Sequence, residues 1–328
     1  MRALADKRVR GSAVIAGLLT VGAIAYPGSA PSAPTVQSID LCAKNGTTTM
    51  PGSVAVRIWG FALKPDGVAC TDPSVVATVP GPQITVGAGD PVTLKVTNAL
   101  PDDRRFGLEA PGVDFNPGAL DAGPGQAVTA TFTAVPGTYL YASSAGGGRQ
   151  QAMGLYGALV VHSATAGQAY DSAAGAFDVE QAVVLSEIDP GLNASANPDT
   201  YDMLSWHPTY WLINGKAHPD TGTIDVHAGN RLLLRYVNAG LEHVTMTMLG
   251  RDTRLVGRDA YPLDSPFSVV AETFAAGSTA DGIVTIPSTA SPGDRFALYD
   301  RQLHLVNGAI GAPAHTPGGM LTFVRVVS

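Results

Sequence analysis

The sequence predicts an all-β protein built from two tandem Greek-key β-sandwiches. Three observations carry that prediction: a composition rich in turn formers and poor in charge, an internal repeat about 140 residues apart, and the absence of any sustained helical period. The 328-residue chain contains 38 Gly and 24 Pro against 14% charged residues. Such a balance suits many short strands joined by tight turns rather than long helices with salt-bridged faces. Its 45% hydrophobic content is enough for two cores of ordinary domain size.

Taken in chain order, the first element is a leader. Arg2, Lys7, Arg8 and Arg10 precede an uncharged apolar run from Ala13 to Tyr26. A basic start followed by a short apolar segment and small residues is the pattern of a secretory signal peptide, expected over residues 1–30. The run is shorter than the roughly 20 residues that cross a bilayer, so no membrane attachment is expected after cleavage. Residues 31–35 form the mature lead-in. Cleavage removes four basic groups and Asp6, which takes the formal charge from −7 to −10. That acidity argues against nucleic acid as a partner. The chain has two cysteines, Cys42 and Cys70, and in an oxidising compartment such a pair is expected to form one disulfide.

The repeat defines the rest. ITVGAGDPVTLKVTNAL (Ile84 to Leu100) aligns without a gap on IDVHAGNRLLLRYVNAG (Ile224 to Gly240), with identity at seven of 17 positions. In both copies a strand enters a Gly-centred turn, at Gly89 or Gly229, and a second strand runs on to Asn98 or Asn238. PGTYLYASS (Pro136 to Ser144) pairs with SPGDRFALYDRQ (Ser291 to Gln302), and GLYGALVV (Gly154 to Val161) with GGMLTFVRVV (Gly318 to Val327). A period this long marks a duplicated domain, because solenoid repeats are only 20 to 50 residues long. The first sandwich is expected over residues 36–162, an Ala/Gly/Ser-rich linker over 163–177, and the second sandwich over 178–328. AVVLSEID (Ala182 to Asp189) reads as an early strand of the second sandwich, and Gly191 to Trp206 as a long loop.

The segments VPGPQITVGAGDPVTLKVTNAL (Val79 to Leu100), PGTYLYASS, QQAMGLYGALVVH (Gln150 to His162), YWLINGKAHPD (Tyr210 to Asp220) and the closing PGGMLTFVRVV resemble the multicopper oxidase family of cupredoxins. The resemblance implies two cupredoxin-like domains. It also implies a blue-copper site of two imidazoles, a thiolate and a Met, and a trinuclear cluster held by four His-x-His pairs. This chain departs from both ligand sets. Its seven histidines are His162, His207, His218, His227, His243, His304 and His315, and no two are spaced by two. Tyr141-Ala142-Ser143-Ser144 stands where the family shows Tyr-His-Ser-His, and no histidine lies around Arg104, Arg105 and Phe106, where another pair belongs. Neither ligand loop contains a cysteine.

Reading back from the closing strand, the resemblance places Met320, His315 and Ile310 at the Met, His and Cys positions, and His243 at that of the first imidazole. His243, His315 and Met320, joined by His304, are therefore the candidate copper ligands of a mononuclear remnant. Read forward instead, Tyr299-Asp300-Arg301-Gln302 replaces the ligand tetrad. Other arrangements carry less. Glu187 and Asp189 read as one-face strand residues, Gly146-Gly147-Gly148 lacks the strand-to-helix setting of a phosphate loop, and Ser143 and Ser144 have no visible His-Asp partners. No catalytic residue is assigned.

The sequence thus points to a secreted multicopper-oxidase-like protein that has lost its trinuclear and blue-copper ligand sets and serves as a binding or scaffold module. The alternative is a copper-binding oxidoreductase using the reduced mononuclear site. The partner is an unidentified small molecule or protein, and assembly as a homo-oligomer is left open.

Overall fold

The computed structural model describes residues 24–25, 36–118, 120–309 and 315–328. Apart from Ile24–Ala25, the leader and the lead-in lie outside these residues, as does Ile310. The fold is all-β, as expected: two tandem cupredoxin-like sandwiches. In the first, a sheet ordered Val54–Leu63, Gln37–Met50, Pro91–Ala99, Ala127–Thr133 faces one ordered Ile84–Gly87, Tyr156–His162, Gly137–Ser143, Phe106–Glu109, Asp121–Ala122. In the second, Val179–Ile188, Arg231–Asn238, Thr279–Thr285, Thr253–Arg258 and Tyr261–Val269 face Ile224–Val226, Leu321–Val326, Arg295–Asp300, Val244–Met248 and Ala271–Phe274. Tyr210–Ile213 pairs with the Val179–Ile188 strand.

Alternation drives this burial. Along Pro91–Ala99 and Ala127–Thr133 every second residue is buried, so one face of the sheet is apolar and meets the facing sheet. The duplicated segments make the same pairings. Ile84–Gly87 runs parallel to Leu159–His162, and Ile224–Val226 parallel to Val324–Val326. Gln37–Lys44 likewise runs parallel to Val92–Ala99, and Val179–Leu185 parallel to Leu232–Asn238. Parallel neighbours inside a mostly antiparallel sandwich require the chain to cross between sheets, as Greek-key connections do.

The repeat is explained by its turns. Gly89 and Gly229 hold φ of 79° and 82°, a region that favours glycine. The next residue closes each turn: Asp90 Oδ2 accepts the Gly87 N–H at 2.9 Å, and Asn230 Oδ1 accepts the His227 N–H at 2.8 Å. At the far end of the strand, Asn98 and Asn238 are wholly buried and equivalent. The Asn98 amide donates to the carbonyls of Arg104, Ala122 and Gly123, while its Oδ1 accepts Leu100 N–H. Asn238 does the same with Glu242, Phe274, Ala275 and Gly240. Each asparagine pins a loop to the facing sheet. Asn98→Ala or Asn238→Ala is expected to cost about 3 kcal/mol, because the change strands buried carbonyls without donors. Urea unfolding checks this, and a loss under about 0.5 kcal/mol, the size of an ordinary surface substitution, would contradict it.

Each sandwich has its own core, and a third cluster joins them. Ile58, Val79, Leu140, Ala142, Tyr156 and Ala158 pack against Val184, Val237 and Ala239. The segment expected to be a linker is packed: Ala169, Tyr170 and Phe177 lie against Leu233, Val256 and Ile283 on the outer face of the second domain. Cys42 and Cys70 form a disulfide with Cα atoms 5.6 Å apart.

Candidate functional site

In the first sandwich, the two places where the resemblance expects imidazole pairs lie side by side. Phe106–Glu109 pairs with the end of Gly137–Ser143, with Leu108 opposite Ser143. The residues there form a neutral hydrogen-bonded chain. Ser143 Oγ donates to Gln150 Oε1 at 2.6 Å, and Gln150 Nε2 donates to the Arg105 carbonyl at 2.8 Å. Arg104 is turned away over the Trp59 ring, 4.7 Å from its centroid, and pairs with Asp102 and Asp199. Met153 is wholly buried in the first core.

Asp199 belongs to the long loop expected over Gly191 to Trp206, and the structure gives that loop a place. It is a strap from the second sandwich across the end of the first. Leu192, Tyr201 and Trp206 pack into or against the first core. Three first-sandwich arginines hold the strap: Arg57 on the Asn193 and Ser195 carbonyls, Arg104 on Asp199, and Arg149 on the Tyr201 carbonyl.

In the second sandwich, Asp300 is the organising residue. It ends a strand and is wholly buried, with Oδ1 accepting the N–H of Thr245 at 3.0 Å and of Gln302 at 3.1 Å. Its Oδ2 lies 2.6 Å from Nδ1 of His304, whose ring stacks on Trp211 at 3.4 Å. Met320 is tied to both residues through its backbone: its N–H donates to the His304 carbonyl and its carbonyl accepts Asp300 N–H. Its side chain is wholly buried in the second core. His315 Nδ1 lies 3.2 Å from the Gly308 carbonyl, and His243 is exposed on the loop after Asn238.

Glu187, read from the sequence as a strand-face residue without a chemical role, has the most unusual setting here. It sits opposite Trp211 in the adjoining strand, buried, and its Oε1 accepts the N–H groups of Leu241 and Glu242. Its Oε2 has no hydrogen-bond partner among the described residues. Burial pushes its pKa up to about 7 against the pull of those two N–H groups. Asp189, expected on the same strand face, instead caps the helix Pro190–Ala194: Oδ1 accepts Gly191 N–H, and Oδ2 accepts the Tyr201 hydroxyl and His207 N–H.

These donors fit copper unequally. The first-sandwich positions offer a hydroxyl, an amide and a backbone carbonyl, a set without imidazole or thiolate and unsuited to a copper cluster. In the second sandwich, His304 is oriented by a buried carboxylate, as metal-bound imidazoles commonly are. Among the described residues, no three of His, Cys, Asp and Glu converge as a metal-holding group.

Residues 71–166 match the multicopper oxidase family. No curated protein matches the chain. Among solved structures, the blue copper oxidase from Nitrosomonas europaea superposes with a TM-score of 0.72 at 21% identity, covering 89% of this chain and 86% of that one. The multicopper oxidase mgLAC gives 0.71 at 21%, over 89% and 86%. The copper nitrite reductase from Nitrosomonas europaea gives 0.68 at 18%, over 90% and 95%. At such identities the likeness is one of fold. Together, the matched segment, the duplicated Greek keys and this shared architecture make the chain a multicopper oxidase-like protein with two cupredoxin-like domains.

Proposed function

We propose that this chain is a secreted member of the multicopper oxidase fold that works as a binding or scaffold module rather than as an oxidase. One observation carries the reading: the Ser143–Gln150–Arg105 chain and the strap above it fill the part of the first sandwich where the family's imidazole pairs are expected. The basic and then apolar start of the sequence supports export. Among the described residues, no helix is long and apolar enough to cross a membrane. The partner is a small molecule or a protein, met by this chain alone or as a homo-oligomer.

The test is metal analysis by mass spectrometry on protein refolded with copper, combined with turnover of a phenolic dye. Less than one copper per chain and no turnover are expected. A full copper complement with turnover would sink the proposal. The Asp300-oriented His304 favours one competing reading, a copper oxidoreductase with a mononuclear site at His243, His315 and Met320 beside His304. Under it, His315→Ala removes bound copper; unchanged metal content would refute that ligand set.

A further inference from the structure

The outer face of the second sandwich carries a depression of about 390 Å³ lined by Gly250, Arg251, Asp252, Arg254, Ser268, Ile283 and Thr285. Strand register explains why these residues meet. Arg254 lies opposite Ser268 on one side and Ile283 on the other, so the three point to one face. Asp252 and Thr285, each two residues along, extend the same face. Tyr170 and Phe177 of the packed linker cover the neighbouring part of this sheet, over Leu233, Val256 and Ile283. The depression begins where that cover ends.

Charge decides what the depression takes. Among the described residues, Arg104, Arg105, Arg231, Arg235, Arg258 and Arg325 have acidic partners. The neighbouring Arg231 is thereby neutralised by Asp178. Among the described residues, Arg251 and Arg254 have no ion-pair partner, yet both line this one hollow, with Asp252 as the only acid in its lining. The Arg251 guanidinium lies 5.5 Å over the Phe296 ring, which holds it in place without neutralising it. Two guanidiniums against the single carboxylate of Asp252 leave the hollow net positive in a chain of net charge −7. The hydroxyls of Ser268 and Thr285 add donors, and Ile283 supplies an apolar floor. Guanidiniums bind carboxylates through paired N–H groups, and Ile283 offers the apolar part of such a ligand a contact beside them.

We propose that this hollow is a binding site for a small organic carboxylate, its carboxylate held by Arg251 and Arg254 and its apolar part against Ile283. The site lies on neither ligand loop and stands independently of the scaffold reading. Benzoate is a suitable probe, titrated into the full mature protein by calorimetry and by ligand-observed NMR, with inorganic phosphate as competitor. Benzoate is expected to bind at about 1 mM or tighter. Arg254→Met and Arg251→Gln are each expected to weaken it about tenfold or more, as loss of a charged hydrogen bond does. Their circular dichroism and unfolding midpoint should stay close to wild type, since Arg254 is exposed and Arg251 is half-buried. Ile283→Ala should weaken benzoate while leaving phosphate unchanged. The proposal is overturned by absence of benzoate binding, by equal binding to the folded arginine variants, or by phosphate binding with benzoate excluded.

Discussion

Arg235→Ala is expected to destabilise the protein by about 3–5 kcal/mol, the cost of breaking a buried ion pair by removing one partner. Arg235 is almost wholly buried and sits between Glu180, 2.8 Å from its Nε, and Asp281, 3.5 Å from its Nη1. The group extends across the two sandwiches. Thr138 Oγ1 donates to Asp281 Oδ1, Tyr170 donates to Asp281 Oδ2, and His162 lies 2.5 Å from Glu180. Thr138 and His162 belong to the first sandwich, Tyr170 to the connecting segment, and Arg235 with both carboxylates to the second. Without the guanidinium, two carboxylates remain buried with less than their compensating charge.

The pH dependence identifies the cause. Burial alone would raise the Glu180 pKa, but the hydrogen bond from His162 and the charge of Arg235 overcome it and hold it at about 2. A lowered carboxylate contributes stability that is full above its unfolded value near 4.5 and is lost as pH falls toward 2. In Arg235→Ala that contribution shrinks, because only the hydrogen bond and charge of His162 remain to oppose burial. The difference between wild type and variant should therefore be largest near neutrality and shrink between about pH 4.5 and 2. Urea unfolding across that range measures it, and a difference independent of pH would point to lost packing alone. Because the network joins the sandwiches, the variant should also be cleaved faster by protease within residues 163–177.

Much of this fold is legible in the sequence because the turns that make it are chemically specific. Gly89 and Gly229 mark positions of positive φ, and Asn98 and Asn238 mark loops tied down by a single amide. Identity survives at those positions because few other side chains do the same work, whereas the strands between them need only alternate. The network around Arg235 is harder to read. It lies in LLLRYV, where one charge among apolar neighbours announces burial but names no partner, and the other members of the network, Thr138, His162, Tyr170, Glu180 and Asp281, come from five separate segments. The strap is similar: Gly191 to Trp206 has the composition of a loop, and only the fold shows that Arg57, Arg104 and Arg149 hold it across the first sandwich. The surroundings of the candidate ligands were hidden for the same reason. Spacing from the closing strand selects Met320 and His315, but it does not reveal that the Met320 side chain enters the core or that Asp300 holds Nδ1 of His304.

Glu187→Gln is expected to stabilise the protein above neutrality and to leave it nearly unchanged in mild acid. The folded-state pKa of Glu187 is raised to about 7 from 4.5, chiefly by burial. A raised carboxylate makes its full contribution below the unfolded value and loses it as pH rises through the folded one. Wild-type stability should therefore fall between pH 4.5 and 7, by about 3 kcal/mol for a shift of this size. Several groups face this carboxyl. The Leu241 and Glu242 N–H groups and the His304 ring favour its charged form, while the Glu242 carboxylate opposes it. An amide in its place would keep the acceptor for both N–H groups and carry no charge to desolvate. The fall between pH 4.5 and 7 should then disappear in Glu187→Gln and persist in His304→Gln, because desolvation of Glu187 outweighs the imidazole among the causes of the shift. Unfolding midpoints at about pH 4.5 and 8 for the three proteins decide it, and a flat wild-type profile would show that Glu187 is charged throughout. Room for that carboxyl depends on Gly240, where an added Cβ would collide with Oε2. Gly240→Ala should therefore expel or displace Glu187, release the loop that leads to His243, and remove the same pH dependence by a different route.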